Sequence, residues 1–183
     1  DKVFYDELSS LKNAVNELRL LTPRLSDGSI DYVNVVTSTA GNYTDSLTDN
    51  NNNSYPAYGL SPDFEQVFDF GAGFKVSAEA FEIQSRRSFP ERGAGIAVFG
   101  SNDGQEWIRL TSDLTKVVEN MQKVNVDDEY KDTKFRFIKM KMLERTSSPS
   151  TPNALFEVAE FRIYGERYEL LNNKIEAVSL SSE

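Results

Sequence analysis

Apolar residues along this chain fall into short runs, most of them alternating with polar positions and broken by Gly, Pro, Asn and Ser. The one helical pattern is N-terminal. Phe4, Leu8, Leu11, Val15 and Leu18 recur at steps of four and three, which predicts an amphipathic helix over 1–21, ended by Pro23. Such a helix packs on a neighbouring domain or offers a coiled-coil face. Ser26-Asp27-Gly28-Ser29 reads as a turn, and the β-branched stretch 30–38 as a first strand. Further strands are predicted at 66–70 (QVFDF), 80–85 (AFEIQS), 96–100, 106–110, 123–126, 135–142 (FRFIKMKM) and 156–165 (FEVAEFRIYG). In the last of these Phe156, Val158, Phe161 and Ile163 are candidate core. Between 96–100 and 106–110 stands Ser101-Asn102-Asp103-Gly104, whose residues tolerate left-handed backbone, so the pair reads as a β-hairpin with the single Trp107 just after the turn. There is no internal repeat, and 166–183 reads as a tail.

Composition narrows the classes. The 183 residues are 39% hydrophobic, with 12 Phe and 8 Tyr, enough for one all-β domain with extensions. The net charge of −9 argues against a nucleic-acid partner and against attachment to anionic membrane. No apolar run approaches the roughly 18 residues of a membrane helix. With no Cys there is neither disulfide nor thiolate chemistry; with no His, the usual proton shuttle, the commonest zinc ligand and every Ser–His nucleophile are removed. Carboxylates remain, and two suffice for glycoside hydrolysis. Among 29 acidic residues, however, some pair is inevitable, so a carboxylate-based glycosidase or lyase has no specific signal and the chain is expected not to be an enzyme. The start at Asp1 rather than Met gives the expectation of a piece of a longer protein.

Two loops carry candidate chemistry. The stretch 47–54, LTDNNNNS, is a solvated loop or, through the hard oxygens of Asp49 and Ser54 and the carbonyls of an Asn-rich turn, a cation loop. The stretch 86–93, RRSFPERG, places three Arg and a Phe just before the hairpin.

Three segments stand in a telling order: Asp49 followed five residues later by Ser54, then S-N-D-G-x-x-W at 101–107, then A-E-F-R-I-Y-G at 159–165. In this order 31–165 resembles the discoidin or coagulation-factor C-type domains, and in particular the family 32 carbohydrate-binding modules of bacteria. The resemblance implies an eight-stranded jelly-roll β-sandwich over 29–166, with 1–28 as N-terminal helix and linker and 167–183 as a linker or the start of a next domain. It implies a structural Ca²⁺ held by the Asp49 carboxylate, the Ser54 hydroxyl and carbonyl, the Ser46, Asn51 and Ala159 carbonyls and the Glu160 carboxylate, with Asn50 standing where the family has Gly. The family's Trp after the loop is absent here; Tyr55 or Tyr58 takes its place. The resemblance further implies a non-catalytic module, secreted or on a bacterial surface, that holds the other domains of its polypeptide on a glycan. A sugar site needs an aromatic face and planar polar groups, for which Tyr55, Tyr58, Arg86, Arg87, Phe89, Arg92 and Asn153 are the candidates. The plainer alternative is that the aromatics pack within loops and the Arg residues pair with Glu91 or Asp63. Two other readings stand beside it. One is cell adhesion or membrane-surface recognition through Tyr55, Tyr58 and Phe89 as apolar spikes; the other is a structural spacer without ligand.

Overall fold

The computed structural model describes residues 18–25, 37–38, 44–53, 61–149 and 152–171. Ten strands are found among them: β1 (Leu18–Leu25), β2 (Thr37–Ser38), β3 (Glu65–Asp69), β4 (Phe74–Ser85), β5 (Ile96–Ser101), β6 (Ile108–Arg109), β7 (Gln122–Asn125), β8 (Lys134–Phe135), β9 (Phe137–Met142) and β10 (Val158–Leu170). They form two antiparallel five-stranded sheets. The first runs β1-β10-β4-β7 with β8 also on β4, and the second runs β2-β3-β9-β5-β6. The one α-helix among the described residues is a single turn, α1 (Thr44–Leu47), and none of the helices there is long and apolar enough to cross a membrane.

The sheets face each other across an aromatic core. Phe68 of β3 stacks on Phe161 of β10 at 5.1 Å between ring centres, and Phe161 on Phe81 of β4 at 5.5 Å. All three are fully buried, as are Ile83, Ile96, Ile138, Met140 and Ile163. Each such Phe contributes about 3–5 kcal/mol against truncation to Ala. The candidate core of the last strand, Phe156, Val158, Phe161 and Ile163, is buried as expected.

The strand count differs from eight for identifiable reasons. The run predicted at 135–142 is divided at Arg136, because Phe135 pairs with Val76 in one sheet while Phe137 pairs with Asp69 in the other. The chain changes sheets at this corner, which inverts the alternation: Phe135 points inward, and then Ile138, Met140 and Met142 do. Gly100 makes room for it, since a Cβ there would lie 2.7 Å from the Phe135 ring.

The expected N-terminal helix is corrected at its end. Residues 18–21 belong to β1, paired with β10 from Leu18 opposite Leu170 to Leu25 opposite Gly165. Residues 1–17 lie outside the described residues, as does most of the strand expected over 30–38. Helical spacing could not reveal a strand partner some 150 positions away, and Pro23 is tolerated because it falls in the irregular stretch between Leu21 and Leu25, where the register with β10 is interrupted. Correspondingly, β10 runs through the boundary expected at 166/167, with residues 166–169 paired to β4 on one side and 167–170 to β1 on the other.

The hairpin forms where its residue types required. Ser101 Oγ accepts the N–H of Asp103 and of Gly104, Asp103 Oδ1 accepts those of Gln105 and Glu106, and Gly104 takes φ +73°. Its second strand is only Ile108–Arg109, shorter than the predicted 106–110. Trp107 packs edge-on against Phe137, with the Lys139 ammonium 4.1 Å from its ring centre.

Candidate functional site

At one end of the sandwich β4 gives way to the loop 86–95, and β10 is preceded by the loop 143–157. A buried carboxylate joins them. Glu157, with no exposed side chain, accepts hydrogen bonds from Arg86 Nη1 at 3.3 and 3.2 Å and from Arg92 Nη1 at 2.8 Å. Backbone bonds repeat the link: Arg86 N–H donates to Glu157 O, and Glu157 N–H to Arg92 O. Burial of a carboxylate demands this density of donors. Both guanidiniums also lie over Phe89, Arg92 at 3.8 Å and Arg86 at 4.8 Å from the ring centre. Glu91 is buried beside them and accepts the Ser148 hydroxyl at 2.9 Å, a second tie between the loops.

Of the sequence-predicted sugar contacts, the structure therefore brings Arg86, Phe89 and Arg92 into one packed cluster. Arg86 and Arg92 pair with Glu157, and Asp63 pairs with Arg145. Arg87 and Asn153 are exposed on the same two loops. Next to Asn153, Ala154 is buried at φ +45°, a left-handed backbone that costs a residue with Cβ about 1–2 kcal/mol. Tyr55 and Tyr58 lie outside the described residues. Sequence reasoning missed Glu157, which stands between the core positions Phe156 and Val158 as any polar residue of an alternating strand does.

The Asn-rich loop sits over β10. Between Val158, opposite Ser85, and Glu160, opposite Gln84, the register slips by one, leaving Ala159 as the extra residue of a β-bulge. The bulge re-aims Glu160 to a place only 1% exposed, where neither carboxylate oxygen has a hydrogen-bond partner of normal geometry. Burial pushes its pKa up to about 7; the Arg162 charge opposes the shift, the Asp49 charge adds to it, and the N–H groups of Asn50 and Asn51 oppose it. Asp49 Oδ1 accepts the Asn51 N–H at 2.9 Å, and Asn51 Oδ1 accepts the Asn53 N–H at 3.0 Å. Asn50, with φ +59°, takes the left-handed backbone that Gly would otherwise supply. Ser46 is half-buried on α1, and Ser54 lies outside the described residues. Arg162, not singled out in the sequence, reaches over this loop: its Nη2 donates to Asn50 Oδ1 at 2.5 Å and to Asn52 Oδ1 at 3.5 Å, and stands 3.8 Å from Glu160 Oε2. Among the described residues no group of three or more acidic side chains is placed to hold a metal, so a cation here would rest on two carboxylates and neutral oxygens.

A shallow cavity of about 400 Å³, lined in part by Asp113, Lys116, Gln122 and Lys123, contains none of the predicted residues.

No protein-family model and no curated protein matches the sequence. Solved structures do. The carbohydrate-binding module CBM62 from Xyl5A of Clostridium thermocellum is 20% identical, covers 79% of this chain and 98% of its own, and has a TM-score of 0.53. The CBM32 of AlyQ, in complex with 4,5-unsaturated mannuronic acid, is 16% identical over 70% of this chain and 92% of its own, at a TM-score of 0.51. CpGH89CBM32-5 from Clostridium perfringens, in complex with GalNAc-β-1,3-galactose, is 13% identical over 70% and 93%, at a TM-score of 0.50. The chain thus has the discoidin-like β-sandwich fold of the CBM62 and CBM32 carbohydrate-binding modules.

Proposed function

We propose that this domain is a non-catalytic carbohydrate-binding module that holds a larger secreted or surface bacterial protein on a glycan. The observation that carries the reading is the end of the sandwich formed by loops 86–95 and 143–157. There a buried Glu157 fixes two guanidiniums and presents Arg87 and Asn153 to solvent beside the strained Ala154. Donors held on a rigid base lose little freedom on meeting a sugar hydroxyl. Arg86, Phe89 and Arg92 form that base, while Arg87, Asn153, Tyr55 and Tyr58 supply the contacts.

A structural Ca²⁺ fits the second site. Two buried oxygens of Glu160 without hydrogen-bond partners of normal geometry, next to the Asp49 charge, form a place where a hard cation would relieve both desolvation and repulsion. Asp49 and Glu160 would hold it together with the carbonyls of Ser46, Asn51 and Ala159 and with Ser54. Its contribution would be to tie the loop to β10.

The test is a glycan array with calorimetry against galactosides, N-acetylhexosamines and uronate polymers, run with melting curves in EDTA and in Ca²⁺. Binding is expected, with Arg87→Ala and Asn153→Ala each losing about tenfold or more at unchanged melting temperature. A cation at ~100 times its Kd raises stability by about 2.7 kcal/mol. Silence against all three glycan classes overturns the module reading, and identical melting in EDTA and Ca²⁺ overturns the cation reading.

A further inference from the structure

Glu160 is buried under a loop of neutral amides within reach of the Asp49 charge, and a cationic contact to it comes from its own strand. Arg162 lies two residues beyond Glu160 on β10, so both side chains leave the same face of the sheet. Its guanidinium binds the amide oxygens of Asn50 and Asn52 while facing Glu160 Oε2 at 3.8 Å. One side chain thereby clasps the Asn-rich loop to the last strand and supplies positive charge to the Glu160 carboxylate beneath it. These are the two services a bound divalent cation would render. The Arg head is also positioned by the strand next to it, and it is only partly exposed, so it stands over the loop without needing a ligand from solution.

We propose that Arg162 is a built-in counter-charge for this site: it ties the loop to β10 in the metal-free protein, and its charge beside Glu160 Oε2 competes with that of the cation. Arg162 is thus a positioning residue that sets how strongly the domain depends on metal. The inference rests on the cation reading above and deepens it. A unit charge about 4 Å from a carboxylate at a protein surface is worth roughly fivefold or more in cation affinity.

The experiment compares wild type, Arg162→Gln and Arg162→Lys. Gln keeps an amide donor for Asn50 but no charge; Lys keeps the charge. Melting is followed in EDTA and in Ca²⁺, with Ca²⁺ affinity measured by calorimetry. Arg162→Gln is expected to melt lower than wild type in EDTA, to bind Ca²⁺ at least about fivefold tighter and to gain more in melting temperature from it, with Arg162→Lys close to wild type. Equal Ca²⁺ affinity and equal EDTA melting of wild type and Arg162→Gln overturn the inference. If none of the three proteins binds Ca²⁺ but Arg162→Gln still melts lower in EDTA, the cation reading fails and competition with it, leaving Arg162 as a permanent clasp. If none binds and the EDTA curves coincide, both fail.

Discussion

Removing Glu157 is the perturbation whose size the structure determines most directly. Its carboxylate has no exposure, and its partners Arg92 and Arg86 are 4% and 12% exposed. Glu157→Ala leaves two guanidiniums facing each other with the central acceptor gone, one of them almost wholly out of water. Breaking a buried pair in this way costs about 3–5 kcal/mol, because the charges left behind lose the carboxylate that offsets their desolvation. In a domain of this size 1 kcal/mol moves the melting temperature by about 2–4 °C, so a fall of about 10 °C is expected, measured by calorimetry or as a shift of the urea midpoint at constant slope. Asp63→Ala is the control. Its pair with Arg145 is exposed on both sides and is expected to cost under about 1 kcal/mol. The triple replacement Arg86→Met, Arg92→Met, Glu157→Leu should recover most of the loss, since an apolar set of similar volume avoids the desolvation of three charges. If Glu157→Ala costs no more than Asp63→Ala, the cluster is solvated and its role as the rigid base of the loop end is wrong.

Two further outcomes follow from features at other places in the sandwich. Asp69 is partly buried, which by itself would raise its pKa, but hydrogen bonds from Arg136 Nε and Nη2 and from the Gly71 N–H, with the Arg136 charge, hold it below its ordinary 3.8. The native state then binds fewer protons here than the unfolded chain, so the pair's stability is present above pH 3.8 and is lost as the pH falls through the lowered value. Asp69→Asn should cost about 1 kcal/mol at neutral pH, with the gap to wild type closing below that point in an acid-unfolding series. Gly95 has φ +74°, and a Cβ there would lie 1.9 Å from the carbonyl oxygen of Glu144. Its N–H and O also hold Thr115, Leu143 and Glu144. Gly95→Ala is expected to lose about 2 kcal/mol or more, and a chemical-denaturation midpoint equal to wild type would refute that.

Much of the sandwich was legible because its signals are local. Ser101 to Gly104 announce their turn by residue type, and the alternation of Phe161 and Ile163 announces a face. The Asn-rich loop stood out for a similar reason, four consecutive Asn after Asp49, whereas Glu160 was singled out only through the family resemblance. What escaped depends on distant partners. Nothing near Leu18 tells that Leu170 will lie beside it. Glu157 reads as an ordinary polar position until Arg86 and Arg92 converge on it, and Arg162 gains meaning only when Asn50 folds over it. The change of sheets at Arg136 was equally hidden, since FRFIKMKM alternates well enough for one strand. Side chains fixed by long-range charge pairing are those that a periodicity cannot see.

The pairing of Leu18 with Leu170 puts the two ends of the described sandwich side by side, near Phe74 at one end of β4. The Arg86–Glu157 loops stand past Ser85 at the other, about 35 Å away along a twelve-residue strand. Whatever is joined before Leu18 or after Leu170 is therefore attached at the heel of the domain, and Arg87 and Asn153, among the candidate sugar contacts, are at its toe. A load carried by neighbouring parts of a polypeptide would pull β1 and β10 in the same direction at a shared edge, and would leave the far loops unshadowed to meet a polymer.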